Sequence, residues 1–146
     1  MTAENHVYGT MLSPDEAERS LREQGARMTA QRRAVLGILS GNRTHPTADE
    51  VVSEVRRRLG CVSPATVYNT LQTLQDLGFV RRIDGLEQRA HFDPDTAEHE
   101  HAICVQCRRV WDVASIAAPA DLPAGFEVSD ILVQGTCEDC AGTSAS

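Results

Sequence analysis

Two cysteine pairs constrain this chain more than any other feature: Cys104-x-x-Cys107 and Cys137-x-x-Cys140, separated by 29 residues. Each pair can span one edge of a tetrahedron, so four thiolates can surround a single Zn²⁺, and soft sulfur selects zinc over magnesium or calcium. The spacer is longer than in an ordinary zinc ribbon. It holds a strand, a connection and a strand (RRVWDVA, AAPADLPAG, FEVSDILVQG) able to bring the pairs together. A redox Cys-x-x-Cys and unligated core thiols are the alternatives. The fifth cysteine, Cys61, stands alone and reads as a small buried or half-exposed residue.

The redox compartment follows from the N-terminus. MTAENHVYGT lacks a signal peptide's basic-then-apolar layout, and no apolar run approaches the roughly 18 residues a spanning helix needs. The expectation is a cytoplasmic protein without a membrane partner, in which cysteines serve metal or redox chemistry before disulfides. At 146 residues, 41% apolar and 24% charged, the chain is long enough for one globular domain or two small ones.

The net charge of −7 hides a split. Residues 1–92 carry 12 Arg against 11 acids, for +1, whereas residues 93–146 carry 2 Arg against 10 acids, for −8. The first half can meet a polyanion and the second cannot.

Hydrophobic spacing and caps give the organisation. Ser13-Pro14 starts a short charged helix ending at Gly25, and Thr29 caps a second that ends at Gly41. Thr47 to Glu50 is a capping box opening a third helix. Ser63-Pro64 opens a fourth, with Val67, Leu71, Leu74 and Leu77 as its apolar stripe. Phe79–Ile83 and Leu86–Phe92 flank Asp84-Gly85, a two-residue hairpin signal. Helices followed by a hairpin are the order of a winged helix-turn-helix. The expected fold is therefore α+β: a tail over 1–12, a winged-helix DNA-binding domain over 13–92, a hinge over 93–98, a small zinc-stabilised α/β domain over 99–141, and a tail over 142–146.

A second set of ligands is harder. His99 and His101 stand at i and i+2, with Asp93 upstream and Asp112 downstream. Mixed imidazole and carboxylate donors suit Fe²⁺, Mn²⁺, Ni²⁺ or Zn²⁺. On the fourth helix, Thr66, Tyr68, Asn69, Thr70 and Thr73 lie away from the stripe, where hydroxyls, an amide and a phenol suit phosphates and base edges. Arg27, Arg32, Arg33, Arg81 and Arg82 can neutralise phosphates. A plain solvated face is the alternative for these positions, as it is for Arg56, Arg57 and Arg58.

Read together, RMTAQRRAVL, HPTADEV, SPATVYNTLQTL, HEHAICVQC and GTCEDC resemble the ferric uptake regulator family of metal-dependent repressors, over about residues 15–140 and in the family's order. The resemblance implies a homodimer on a palindromic double-stranded DNA operator. It makes the helix from Ser63 to Leu77 the recognition helix, and the last part of the chain a dimerisation domain. It also places Cys104, Cys107, Cys137 and Cys140 on the family's structural zinc motif.

Within the family, the peroxide-sensing branch supplies the match for a regulatory site binding Fe²⁺ or Mn²⁺: His45, Asp93, His99, His101 and Asp112 agree in type. Iron-responsive members usually carry Glu where Asp112 stands, and more often Arg where Asn69 stands. The implied mechanism is iron-catalysed oxidation of a ligand histidine, His45 or His99, which ends repression. A repressor sensing iron, nickel or zinc availability is the alternative. A metallohydrolase on His99, His101 and Asp112 is disfavoured, because a saturated site leaves no open position and no general base stands out. No enzyme activity and no small-molecule substrate are expected. Two departures from the family stand out: the stretch between Asp112 and Phe126 is several residues short, and residues 126–136 contain no histidine. His91, next to Asp93, is read as a spectator, with entry into a nickel- or zinc-type site as the alternative.

Overall fold

The computed structural model describes residues 11–97, 99–114 and 116–144. They fall into two compact units, one ending at Ala97 and one following it.

Among the described residues, the first unit is built from four helices and a hairpin. Helix α1 (Pro14–Glu23) has Ser13 as its N-cap and proline in its first turn. Helix α2 (Ala30–Leu39) is capped by the Thr29 hydroxyl, which accepts from the Arg32 amide. Helix α3 (Ala48–Leu59) opens on a reciprocal capping box between Thr47 and Glu50 and closes on Gly60 at φ 78°, a left-handed position that glycine adopts without a Cβ clash. Helix α4 (Pro64–Asp76) again starts from a serine cap and a proline. The cap and stop residues legible in the sequence thus set the helix ends.

Each helix buries one stripe. Leu21 of α1, Val35 and Leu39 of α2, Val51 and Val55 of α3, and Val67, Leu71 and Leu74 of α4 form one core with Val80 and Phe92. Full burial of each such side chain contributes about 1.5–3 kcal/mol over exposure. Leu12, placed in the expected tail, joins this core, and its amide donates to the Pro94 carbonyl at 2.8 Å. Residues 1–10 of that tail lie outside the described residues.

The hairpin differs from its sequence reading. Strands β1 (Arg81–Asp84) and β2 (Ala90–Asp93) pair antiparallel with Asp84 opposite Ala90. Five residues therefore join them, containing a 3-10 turn over Leu86–Gln88, in place of a two-residue Asp84-Gly85 turn. The reason is backbone conformation: Gly85 is extended, and the positive φ of 59° falls on Glu87. Asp93, expected in a hinge, is the last residue of β2, opposite Arg81. The first unit runs on to Ala97.

The second unit is a three-stranded sheet, β4-β3-β5, with one short helix. Strand β3 (Glu100–Cys104) pairs antiparallel with β4 (Val110–Val113) and parallel with β5 (Leu132–Gly135). The expected strand over 126–135 is shortened to its last four residues. The Ile131 amide donates to the Glu100 side-chain carboxylate at 2.7 Å, and the parallel ladder stops at His101 opposite Leu132. Helix α5 (Glu138–Ser144) continues past the expected boundary at residue 141. Among the described residues, only Ile103, Cys104 and Val110 of this unit are buried apolar side chains. That is too small a core to hold about 45 residues without a staple. No described helix is long and apolar enough to cross a membrane.

Candidate metal centres and nucleic-acid face

The staple stands at one end of the second unit's sheet. Cys104 is the last residue of β3, and the chain then turns back so that the Arg108 amide donates to the Cys104 carbonyl at 3.0 Å. This turn carries Cys107 beneath Cys104 and uses a left-handed Arg108, at φ 67°. The parallel pairing with β5 delivers Cys137 alongside, its amide donating to the Cys104 sulfur at 3.4 Å, and α5 presents Cys140 one turn later.

The four Sγ atoms lie within 4.8 Å of one another, with Cys107 and Cys137 at 3.9 Å. A tetrahedral Zn²⁺ with Zn–S bonds of about 2.3 Å spaces its sulfurs about 3.8 Å apart, so the donor set fits zinc. The electrostatics agree. Amide donors from Cys107, then Cys137, hold the Cys104 thiol down at about 6. The Cys137 thiol first, then burial, push Cys140 up to about 12. Four adjacent thiolates need a cation.

Each unit also carries a histidine–carboxylate cluster. In the first, His45 lies in the loop before α3 at φ 56°, with Nε2 3.5 Å from Asp93 Oδ2 and both side chains sealed from solvent. Asp93 Oδ1 accepts the Asp95 amide at 2.9 Å, which orients the carboxylate and leaves Oδ2 toward His45. His91 is buried as well, and its Nδ1 stands 2.7 Å from the His45 carbonyl oxygen. In the second unit, His101 is cross-strand partner to Asp112, and His99 lies just ahead of β3 on the same face. Their Nε2 atoms stand 3.7 and 3.1 Å from Asp112 Oδ1, and the two rings meet edge to face at 4.5 Å.

The polar side of α4 forms a third candidate site. Tyr68 is 48% exposed, and Asn69 beside it is exposed too. The Tyr68 hydroxyl donates to Asp49 at the start of α3, which raises the phenol's pKa. Thr66 is half-buried, and its amide is held by the Ser63 cap. Thr70 corrects the sequence reading. It is 2% exposed, and its hydroxyl donates to the Thr66 carbonyl at 2.7 Å. Three residues beyond Val67 it falls back onto the buried stripe, so it has no hydroxyl to offer a duplex.

Arg27 is exposed, and Arg32 is half-buried with its guanidinium donating to the Arg27 carbonyl. A groove of about 1080 Å³ between α3, α4 and the hairpin is lined by Tyr68, Asn69 and Gln72 together with Arg57, Arg82 and Arg89. Gln72 was absent from the sequence reading of the polar face, although its spacing from Tyr68 and Asn69 marks it. Arg89 carried no such signal, because the hairpin connection was misread. Arg57 and Arg58 both bind Glu54, at 2.6 and 3.0 Å. Cys61, expected to be buried or half-exposed, is exposed at the start of the segment before α4, and it is joined to neither metal cluster.

A winged helix with a polar groove lined by both arginines and carboxylates, followed by a small unit holding four clustered thiols, defines a metal-binding helix-turn-helix protein. The model of the Ferric uptake regulator family matches residues 23–122, and this chain belongs to that family. It is 34% identical over 133 residues, covering 86% of this chain and 90% of the relative, to the peroxide-responsive repressor PerR of Staphylococcus aureus. The fold matches the ferric uptake regulator of Helicobacter pylori with a TM-score of 0.71, at 19% identity over 90% of this chain and 96% of that one. It also matches PerR of Streptococcus pyogenes with a TM-score of 0.51, at 22% identity over 90% and 95%.

Proposed function

We propose that this protein is a metal-dependent transcriptional repressor that binds a palindromic operator as a homodimer and releases it on exposure to peroxide. The observation that carries the reading is the buried His45–Asp93 pair in the first unit, matched by His99 and His101 facing Asp112 in the second. These five residues have the donor types the resemblance requires for one regulatory ion. The identity to a peroxide-responsive repressor over most of the chain supports the branch.

In this reading residues 13–92 meet DNA. Tyr68, Asn69 and Thr66 face base edges and phosphates, while Arg27 and Arg32 neutralise phosphates. Exposed Trp111, Phe126, Val128 and Val133 of the second unit supply apolar surface for a second copy. The four cysteines, held on zinc, are structural.

His45 and Asp93 belong to one unit and His99, His101 and Asp112 to the other, so ligands that close together fix one mutual orientation of the units. In a dimer that orientation sets the separation of the two α4 helices, which must match the half-site spacing. Ligand closure thereby becomes DNA affinity through differential binding to the closed state. Fe²⁺ held by these residues would catalyse O–O cleavage of peroxide beside the imidazoles, one peroxide oxygen replacing a ring hydrogen of His45 or His99 and the other leaving as water; Mn²⁺ would not support that chemistry. An imidazole that has gained oxygen at His45 or His99 is a poorer donor, and the closed state is lost.

Operator binding with and without added Mn²⁺ tests the repressor reading. His45→Ala and Asp112→Ala are expected to lose metal-dependent binding while keeping one zinc per chain. Normal Mn²⁺-dependent binding by either variant would refute the five-ligand arrangement.

A further inference from the structure

His91 occupies the second position of β2 with its ring buried. Its Nδ1 lies 2.7 Å from the carbonyl oxygen of His45. A carbonyl only accepts, so Nδ1 carries the proton and the tautomer is set. The acceptor belongs to a residue with an unusual backbone. His45 sits at φ 56°, in the left-handed region where a Cβ crowds the following carbonyl. Such a conformation persists only where its surroundings hold it.

The surroundings are on β2. The Phe92 amide donates to the Pro46 carbonyl at 2.8 Å, and Thr47 bridges His91, so residues 45–47 are stitched to the strand by three consecutive contacts. The hairpin closes over the same ring. A Cβ placed on Gly85 would stand 3.0 Å from His91 Cδ2 and 3.0 Å from the Arg89 carbonyl oxygen, so the turn approaches His91 as closely as only glycine permits.

We infer that His91 is a positioning residue: by holding the His45 carbonyl it locks the left-handed backbone that turns the His45 imidazole toward Asp93, and so sets the metal affinity of that pair. The inference rests on His45 being a metal ligand. Hydrogen-bonded groups behind ligating residues typically change metal affinity 10- to 100-fold when removed.

The test uses the full-length, zinc-loaded protein and its variants His91→Phe, His91→Asn and His45→Ala. Three quantities are read: Mn²⁺ affinity by calorimetry, zinc content with thermal unfolding, and the imidazole ¹⁵N spectrum of the Mn²⁺-free protein. Wild-type His91 is expected as the Nδ1–H tautomer. His91→Phe, with no donor, should weaken Mn²⁺ binding about 10- to 100-fold at unchanged zinc content. His91→Asn, whose amide nitrogen can stand where Nδ1 stood, should recover affinity to within about threefold of wild type, which a purely packing role for the ring does not predict.

An Nε2–H tautomer at His91 would overturn the inference. So would wild-type Mn²⁺ affinity in His91→Phe, or folded His91→Asn that binds no better than His91→Phe. Should His91→Phe fail to fold, the spectrum and His91→Asn decide. Full Mn²⁺ affinity in His45→Ala would remove the ligand reading itself. Loss in His45→Ala without loss in His91→Phe would remove this inference alone.

Discussion

His45 Nε2 stands 3.5 Å from Asp93 Oδ2 inside the first unit, and each side chain is 1% exposed. That separation exceeds the 2.7–3.2 Å of a good hydrogen bond and equals the spacing of two donors on a shared cation, about 3.0–3.5 Å apart when each is about 2.1 Å from the ion. Asp93→Asn keeps the shape and removes the charge. Its expected effect is at least about a 100-fold loss of Mn²⁺ affinity, or about 2.7 kcal/mol, measured by calorimetry, with zinc content unchanged.

The second unit's small core makes it depend on the thiol cluster. Cys104→Ser is expected to abolish stoichiometric zinc and unfold residues after 98, while the helices of the first unit persist. Hydrogen exchange checks this directly: protection should vanish from β3, β4 and β5 and survive in α2 and α4. Leu71→Ala, by contrast, should destabilise the first unit by about 2–5 kcal/mol and leave zinc bound.

Thr70 and Asn69 are neighbours in sequence with opposite environments. Thr70→Val replaces a buried hydroxyl already committed to the Thr66 carbonyl, and operator affinity should stay within about twofold. Asn69→Ala removes an exposed amide, and operator affinity should fall about 5- to 150-fold, for about 1–3 kcal/mol of base readout. Fluorescence anisotropy on one operator duplex measures both.

Glu54 gives a signed pH dependence. Hydrogen bonds from Arg57, then Arg58, hold its carboxyl at about 2, below the ordinary 4.5. A depressed folded-state value stabilises the fold above the unfolded value and is lost as pH falls through the folded one. The stability gap between wild type and Glu54→Gln should therefore be full above about pH 4.5 and shrink steadily toward pH 2. Chemical denaturation at pH 6, 4 and 3 follows it.

Local chemistry made much of this molecule readable in advance. Ser13, Thr29, Thr47 and Ser63 announce helix starts because their hydroxyls satisfy amides within one turn, a purely local interaction. The cysteine pairs were readable because metal geometry dictates their spacing. The hairpin was not, since its five-residue connection depends on Glu87 taking the left-handed conformation and on Gly85 packing against His91, contacts set by the folded strand. The spacing of Thr70, three residues after Val67 and four before Leu74, places it on the buried stripe, but composition does not reveal the Thr66 carbonyl that accepts its hydroxyl. Nor does the sequence reveal that the His91 ring meets the His45 carbonyl, 46 residues away.

Peptide mass spectrometry on Fe²⁺-loaded and Mn²⁺-loaded protein after brief peroxide exposure tests the central claim most directly. The account predicts an added oxygen on His45 or His99, confined to the iron-loaded sample and accompanied by loss of operator binding. Unmodified histidines, with oxidised cysteines or no change, would contradict peroxide sensing and leave a repressor that responds to metal availability.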